Sequence, residues 1–222
     1  MSPIILILQL ILFLLAFPIY VLNFLGIWDS IKKDLFSNLS DFANSSKELN
    51  VLEIGCGTGA NFKFYPNGSR ITCLDVNPNF QSYLSKSQME SDHIKFEGFV
   101  VASADNMTTV ADASMDVVVC TLLACSLPDT PKMLEEVRRV LKPGGAFYFL
   151  EHVASTDDSS FISYLQKILN PTWSLCLDGC NLRKTTWKDL EQAKFSDLKL
   201  RHIQAPNVLM PITPHIVGYA IK

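Results

Sequence analysis

The chain has 222 residues, of which 48% are hydrophobic and 18% are charged, and its formal net charge is -3. At roughly 100 to 200 residues per domain this length allows one domain and an appendage, and the apolar content excludes an intrinsically disordered chain. The acidic balance argues against a protein that neutralises a nucleic-acid backbone, so no nucleic-acid partner is expected.

The first predicted element is an uncharged run of 19 residues, Ile4–Leu22. As a helix it would be about 29 Å long, which matches a bilayer core of about 30 Å. A cleaved signal peptide would show a basic residue before a shorter apolar core and then a small-x-small cleavage site, and these features are missing here. The run therefore predicts a membrane anchor, placed at residues 1–28, although Pro18 leaves open a shallow hairpin within one leaflet.

Residues next to the anchor predict its orientation. Lys32 and Lys33 follow the run and nothing basic precedes it, which by the positive-inside rule places the rest of the chain in the cytosol. Tyr20 and Trp28 are aromatic residues of the kind found at membrane interfaces. Sequons that would carry glycans if the domain were lumenal begin at Asn38, Asn44, Asn67 and Asn106.

Beyond the anchor, residues 29–48 predict a short linker helix and residues 49–222 a single domain. The predicted strands are Leu49–Ile54, Arg70–Leu74, Ile94–Val101, Asp116–Thr121, Ala146–Val153, Leu198–Ile203 and His215–Ile221. The predicted helices between them are Asn79–Met89, Pro131–Leu141, Phe161–Leu169 and Thr186–Lys194. Because strands alternate with helices, we expect an α/β fold with a doubly wound, mostly parallel seven-stranded sheet, preceded by the hydrophobic membrane helix.

A glycine-rich turn, Gly55–Gly59, follows the first predicted strand. Closely spaced glycines let the backbone approach a ligand, and Asp75, at the end of the next strand, can bind both hydroxyls of a ribose. The turn alone does not choose the ligand, because Gly55-x-Gly57-x-x-Ala60 followed by Asp75 also fits the dinucleotide fingerprint. Glu53 favours S-adenosylmethionine, because a carboxylate would repel a pyrophosphate and attract the cationic amino group and sulfonium.

The sequence also resembles a known family. The segments Val51–Gly59, Cys73–Asp75 and Leu134–Gly145 look like the motifs of class I S-adenosylmethionine-dependent methyltransferases, which have a Rossmann-like fold. Over nearly the whole chain, Gly59–Pro66, Asp116–Leu122, Asp178–Leu182 and Pro214–Tyr219 resemble the membrane-anchored methyltransferase-like 7 family. The resemblance implies S-adenosylmethionine as cofactor and methyl transfer to small lipophilic alkyl thiols. It also implies a location at the endoplasmic reticulum membrane and lipid droplets.

Two departures from that family concern the site. The family has about one more helix between the anchor and the glycine turn, and its absence here would shorten the lid over the cofactor. Ser103 stands where many class I enzymes carry an aspartate for the adenine amino group, and Asp105 could substitute. With these residues, the expected cofactor contacts are Glu53, Gly55, Cys56, Gly57, Gly59, Asp75, Val76, Asn77, Ser103, Ala104, Asp105 and Thr121.

Methyl transfer to a thiol needs a thiolate in line with the sulfonium methyl, and a base helps because an ordinary thiol has a pKa near 8.5. His152, at the end of a predicted strand, is the candidate base or orienting group; the alternative is a structural histidine bonded to backbone. Asp178 could assist, or be a solvated acid at a helix end. The six cysteines and the other histidines show no metal-ligand spacing, so no metal is expected and most cysteines are interpreted as buried apolar residues.

Two other functions stay open at this point. A shortened lid would suit a cofactor-binding but inactive membrane or lipid-droplet scaffold. The Leu134–Gly145 motif is also shared with methyltransferases that act on a lipid or quinone acceptor. The expected partners are therefore a small thiol and, through the anchor, membrane lipid.

Overall fold

The computed structural model describes residues 28–44, 48–206 and 208–222. The predicted anchor, Ile4–Leu22, lies outside these ranges. Within them, no helix is both long enough and apolar enough to cross a bilayer.

One sheet organises the described part of the chain, with its strands in the order β3-β2-β1-β4-β5-β7-β6. The first five strands pair in parallel, and β7 runs antiparallel between β5 and β6. This confirms the predicted mostly parallel, doubly wound sheet. The strands are β1 Asn50–Ile54, β2 Arg70–Asp75, β3 Lys95–Val101, β4 Met115–Thr121, β5 Leu141–His152, β6 Asp197–Gln204 and β7 Pro214–Ile221.

Helices cover both faces of the sheet. They are α1 Asp29–Leu35, α2 Phe80–Met89, α3 Thr130–Val140, α4 Phe161–Cys176 and α5 Thr186–Gln192. Alternate strand residues face opposite sides, so Leu52 and Val118 pack with α3 and α5, whereas Val51 and Val117 pack with α1 and α2. Both faces are buried, which explains why the central strands read as continuous apolar runs.

Two boundaries differ from the sequence-based expectation by five residues or more. Strand β5 begins at Leu141 instead of Ala146, because the Lys142–Gly145 turn continues as extended backbone through a register shift against β4. Helix α4 continues beyond Leu169 and through Pro171 to Cys176. The buried Trp173 in that extra length packs against Cys125 and Cys180, so tertiary packing offsets the local cost of the proline.

The segment before β1 is part of the domain and not a linker. Leu35 and Leu39 are buried in the core on one face of the sheet, and a short 3-10 helix, Leu39–Phe42, follows α1. Trp28 is only 4% exposed and its ring centroid lies 4.6 Å from that of His215, so the expectation of a membrane-interface position is wrong for this residue. Lys32 is also buried, which leaves Lys33 as the exposed member of the basic pair.

Candidate functional site

The turn between β1 and α2 begins with a backbone that requires glycine. Gly55 has φ +66° and its N–H donates to the Leu74 carbonyl at 2.8 Å, which ties the turn to the end of β2. A Cβ at position 55 would lie 2.8 Å from Leu123 Cδ2. A side chain here would therefore both strain the backbone and displace Leu123.

Asp75 connects the glycine turn to the end of β2. Its carboxylate is 8% exposed; Oδ2 accepts the Gly57 N–H at 3.1 Å and Oδ1 accepts the Asn77 N–H at 3.0 Å. Each carboxylate oxygen keeps a second lone pair. The side chain is thus held in one orientation and can still accept two hydroxyl protons, as a ribose requires.

A cavity of about 220 Å³ opens beside this carboxylate at the carboxyl ends of the strands. The expected cofactor-binding residues that line it are Gly55, Asp75, Val76, Ser103 and Ala104. Val76 is 59% exposed and offers an apolar surface on which an adenine ring can pack. The opposite wall was not among the expected contacts, although the shared edge of parallel strands indicates that the segment after β4 lies there. It is formed by Leu123, Ser126, Leu127 and Pro128.

Ser103 and Asp105 form one hydrogen-bonded unit at the cavity edge. The Ser103 hydroxyl donates to Asp105 Oδ1, so its oxygen lone pairs are free to accept a proton from a ligand. The pair can therefore do what a single aspartate does for an adenine amino group. Gly57 and Asn77 do not line the cavity and act through Asp75, because their backbone N–H groups donate to its carboxylate.

Glu53 lies in a different environment from the one expected. It is 2% exposed, and its two oxygens accept from Asn61 Nδ2 at 2.9 Å and from the Tyr65 hydroxyl at 2.7 Å. Burial raises the pKa of this carboxyl to about 7, against the lowering effect of Tyr65 and Lys32. Its direct attraction for a cofactor cation stays a prediction.

Three further expected contacts lie around the turn and do not line the cavity. Thr121 Oγ1 accepts from Asn61 Nδ2 at 3.0 Å, so it belongs to the same network as Glu53. Gly59 leaves no room for a Cβ, which would lie 2.9 Å from Phe62 Cε2, so this glycine serves packing. Cys56 is buried in the core beside it.

The two candidate catalytic residues lie near the same edge of the sheet. His152 ends β5, is 5% exposed, and places Nε2 2.9 Å from Cys180 Sγ, while its Nδ1 is buried without a hydrogen-bond partner within the described ranges. The alternative of a histidine bonded to backbone is therefore not what the structure shows. Asp178 is exposed, lines the cavity and has φ +48°.

A larger cavity, of about 410 Å³, lies between α1 and α2 and is lined by Lys32, Gly59 and Lys63, among others. Neither Asp75 nor Asp178 lines it, whereas both line the smaller cavity. We therefore assign the chemistry to the smaller cavity, where the carboxylate, the turn and the strand ends meet.

This strand order and glycine turn define a class I methyltransferase fold. Residues 52–149 match the family profile described as a methyltransferase domain. The geranyl diphosphate C-methyltransferase of Streptomyces coelicolor aligns with TM-score 0.62 at 12% identity, over 87% of this chain and 79% of that one. The [4+2]-cyclase SpnF aligns with TM-score 0.61 at 16% identity, over 86% and 79%, so these similarities establish the fold alone.

Sequence similarity goes further than the fold. The human thiol S-methyltransferase TMT1A is 54% identical over 93% of this chain and 86% of its own length. The rat thiol S-methyltransferase TMT1B is 44% identical over 97% of both chains. The protein belongs to this thiol S-methyltransferase family, and it is an S-adenosylmethionine-dependent methyltransferase.

One relative also bears on the shortened lid. The alignment with mouse thiol S-methyltransferase TMT1B extends over 245 positions and covers 100% of both chains, whereas this chain has 222 residues. The alignment therefore leaves 23 positions of the mouse protein without a counterpart in this chain, which is about twice the length of a mean helix.

Proposed function

We propose that this protein transfers the methyl group of S-adenosylmethionine to the sulfur of small lipophilic thiols. The observation that carries the cofactor assignment is Asp75, which is fixed by two backbone N–H groups in the wall of the cavity. The thiol acceptor is supported by relatives at 43 to 54% identity that are named thiol S-methyltransferases.

The described residues fit the cofactor in two parts. Asp75 would accept the ribose hydroxyls, and Ser103 with Asp105 would accept the adenine amino group. Val76 and Leu123 provide apolar surfaces of the same cavity for the base. When bound, S-adenosylmethionine supplies a methyl group already activated by a sulfonium, so the protein needs no covalent nucleophile.

The chain's own contribution to the transfer is to orient the acceptor and remove its proton. His152 is our candidate for this task, because Nδ1 is shielded from solvent and has no protein partner among the residues described. A base at this position would raise the thiolate fraction of an alkyl thiol at neutral pH. Asp178, at the cavity edge, would assist from the solvent side.

We further propose that the domain works at the cytosolic face of the endoplasmic reticulum membrane and of lipid droplets, held by Ile4–Leu22. Lipid concentrates apolar thiols, so an anchor would raise the local concentration of acceptor.

Glycosylation tests the orientation, with Asn67 and Asn106 as reporters because both are exposed. Asn38 is a poorer reporter, since its Oδ1 accepts the Tyr148 hydroxyl at 2.8 Å. Glycans at Asn67 or Asn106 in cells would contradict the cytosolic orientation.

Purified full-length protein and radiolabelled S-adenosylmethionine test the activity. We expect a methyl thioether from an alkyl thiol, saturable in both reactants, and an equal cofactor affinity by titration calorimetry in the His152→Ala variant. Cofactor binding without turnover of any acceptor would favour the inactive scaffold, for which the shorter chain is the supporting observation. Turnover of a lipid or quinone acceptor that small thiols do not inhibit would instead favour a lipid or quinone methyltransferase.

A further inference from the structure

Four side chains meet in a buried cluster next to the cofactor cavity. Cys180 Sγ lies 2.9 Å from His152 Nε2, 3.3 Å from Trp173 Nε1 and 3.3 Å from Cys125 Sγ. All four residues are at most 9% exposed. Cys125 precedes the cavity residue Ser126, so the cluster lies directly behind the cavity wall.

The hydrogen bonds in this cluster converge on the sulfur of Cys180. The indole N–H of Trp173 can only donate, so Cys180 Sγ accepts from it. The Cys180 thiol donates its one hydrogen to Cys125 Sγ, so toward the indole and the imidazole its sulfur only accepts. The contact with Cys125, followed by those with His152 and Trp173, lowers the pKa of the Cys180 thiol against the opposing effect of burial.

The acceptor role of Cys180 Sγ determines where the proton of His152 lies. Nε2 must carry a hydrogen to donate to the sulfur, which leaves the lone pair on Nδ1. The titratable groups that face this imidazole are Glu151 on β5, Cys125 after β4, Cys180 after α4 and His215 on β7. Burial lowers the pKa of His215 to about 3, so His215 is neutral and does not compete for the proton.

We propose that Cys180 is a positioning residue, whose sulfur accepts from Nε2–H, holds His152 in that tautomer and keeps the hydrogen bond in the imidazolium formed when Nδ1 takes the acceptor proton. This inference rests on the proposed thiol methyl transfer. The S–H bond of the acceptor breaks toward Nδ1, and its sulfur electron pair forms the new S–CH₃ bond. The electrons of the former sulfonium–methyl bond stay on the sulfur of S-adenosylhomocysteine, and His152 later loses the proton to water.

The same side chains, Cys125, His152 and Cys180, could in principle ligate a soft metal ion. Around tetrahedral zinc, two thiolates would be about 3.8 Å apart and a thiolate and imidazole nitrogen about 3.6 Å apart. The observed 3.3 Å and 2.9 Å are shorter and are hydrogen-bond distances. The indole N–H of Trp173 also donates to Cys180 Sγ, so the geometry favours a hydrogen-bonded cluster over a metal centre.

Acceptor acidity gives the most direct test. An alkyl thiol needs a base at neutral pH, whereas an aryl thiol is already largely ionised. We expect Cys180→Ala to lower kcat/KM for the alkyl thiol about 10-fold or more and to leave the aryl thiol nearly unaffected. Cys176→Ala, at the last residue of α4 and outside the cluster, is the matched control and should match wild type.

Equal losses with both thiols would show a structural role for Cys180 and overturn the proposal, as would undiminished alkyl turnover. Stoichiometric zinc in the purified protein would overturn it in favour of a metal site. Nitrogen NMR of labelled histidine reports the tautomer without any turnover: His152 should be Nε2–H in wild type and should change in Cys180→Ala. If wild type binds S-adenosylmethionine but methylates neither thiol, the proposed function fails, while the NMR result still decides whether Cys180 sets the tautomer.

Discussion

Asp75 and Gly57 are joined by a hydrogen bond of 3.1 Å from the glycine N–H to carboxylate Oδ2, which couples the end of β2 to the turn after β1. The bond fixes the carboxylate in the orientation that a ribose needs. We therefore expect a substitution of Asp75 to change the affinity for the cofactor more than it changes the stability of the fold.

Asp75→Asn should lower the affinity for S-adenosylmethionine by about 10-fold or more, because the amide replaces one acceptor oxygen by a donor and removes the charge. Asp75→Ala should abolish measurable binding. Titration calorimetry measures both, with thermal unfolding as the check on folding. Asp158→Asn, an exposed acid outside the cavity, should bind as wild type does. Unchanged affinity in Asp75→Ala would refute the ribose contact.

Gly55→Ala should destabilise the protein and weaken cofactor binding. Alanine at φ +66° costs about 1 to 2 kcal/mol, and its Cβ would push Leu123 into the cavity. Gly68→Ala separates the two effects, because Gly68 has φ +81° and open space around the Cβ position. We expect similar losses in urea unfolding for both variants but a loss of affinity only for Gly55→Ala. Equal affinities would show that Leu123 moves without affecting the cavity.

The sequence was informative wherever a residue's role is set by neighbours along the chain. The glycine turn, Asp75 and the alternation of strands and helices are local patterns, and the sheet order and cavity follow from them. The Cys125–His152–Cys180 cluster could not be predicted, because its members are separated by 27 and 28 residues and come from different elements. Trp28 was misinterpreted for a related reason: a tryptophan next to an apolar run suits a membrane interface, and only tertiary packing shows that this one is buried.

His215 should make the protein sensitive to acid. Its pKa is lowered by burial to about 3, whereas an unfolded histidine has a pKa near 6.5. Below pH 6.5 the unfolded chain therefore binds a proton that the folded chain does not, and stability falls as the pH falls. At pH 5 this effect is about 2 kcal/mol.

His215→Phe should remove that dependence while keeping a ring against Trp28. Relative to wild type, the variant should gain about 2 kcal/mol on going from pH 7.5 to pH 5, measured by urea unfolding at both values. Its loss of the hydrogen bond to the Thr213 carbonyl is common to both pH values and cancels. His202→Phe, at an exposed histidine that also contacts a tryptophan, is the control. Identical pH slopes in wild type and His215→Phe would contradict the assignment.

Glu53 should give the protein a pH dependence of stability opposite in sign to that of His215. Its pKa is raised mainly by burial to about 7, so between pH 4.5 and 7 the folded chain holds a proton that the unfolded chain has released. Stability therefore falls as the pH rises through this window and stays lower above it. Glu53→Gln cannot ionise and should gain about 2 kcal/mol over wild type between pH 5 and pH 8 in urea unfolding.

Lys32 provides the internal check on this assignment, because its charge lowers the pKa of Glu53. Lys32→Met should raise that pKa further, shift the Glu53 carboxyl titration seen by carbon NMR to higher pH and steepen the loss of stability. Glu90→Gln, at an exposed carboxylate, should leave both readouts unchanged. A Glu53 titration that Lys32→Met leaves in place would mean that the buried ammonium does not act on this carboxylate, and that Asn61 and Tyr65 alone offset the effect of burial.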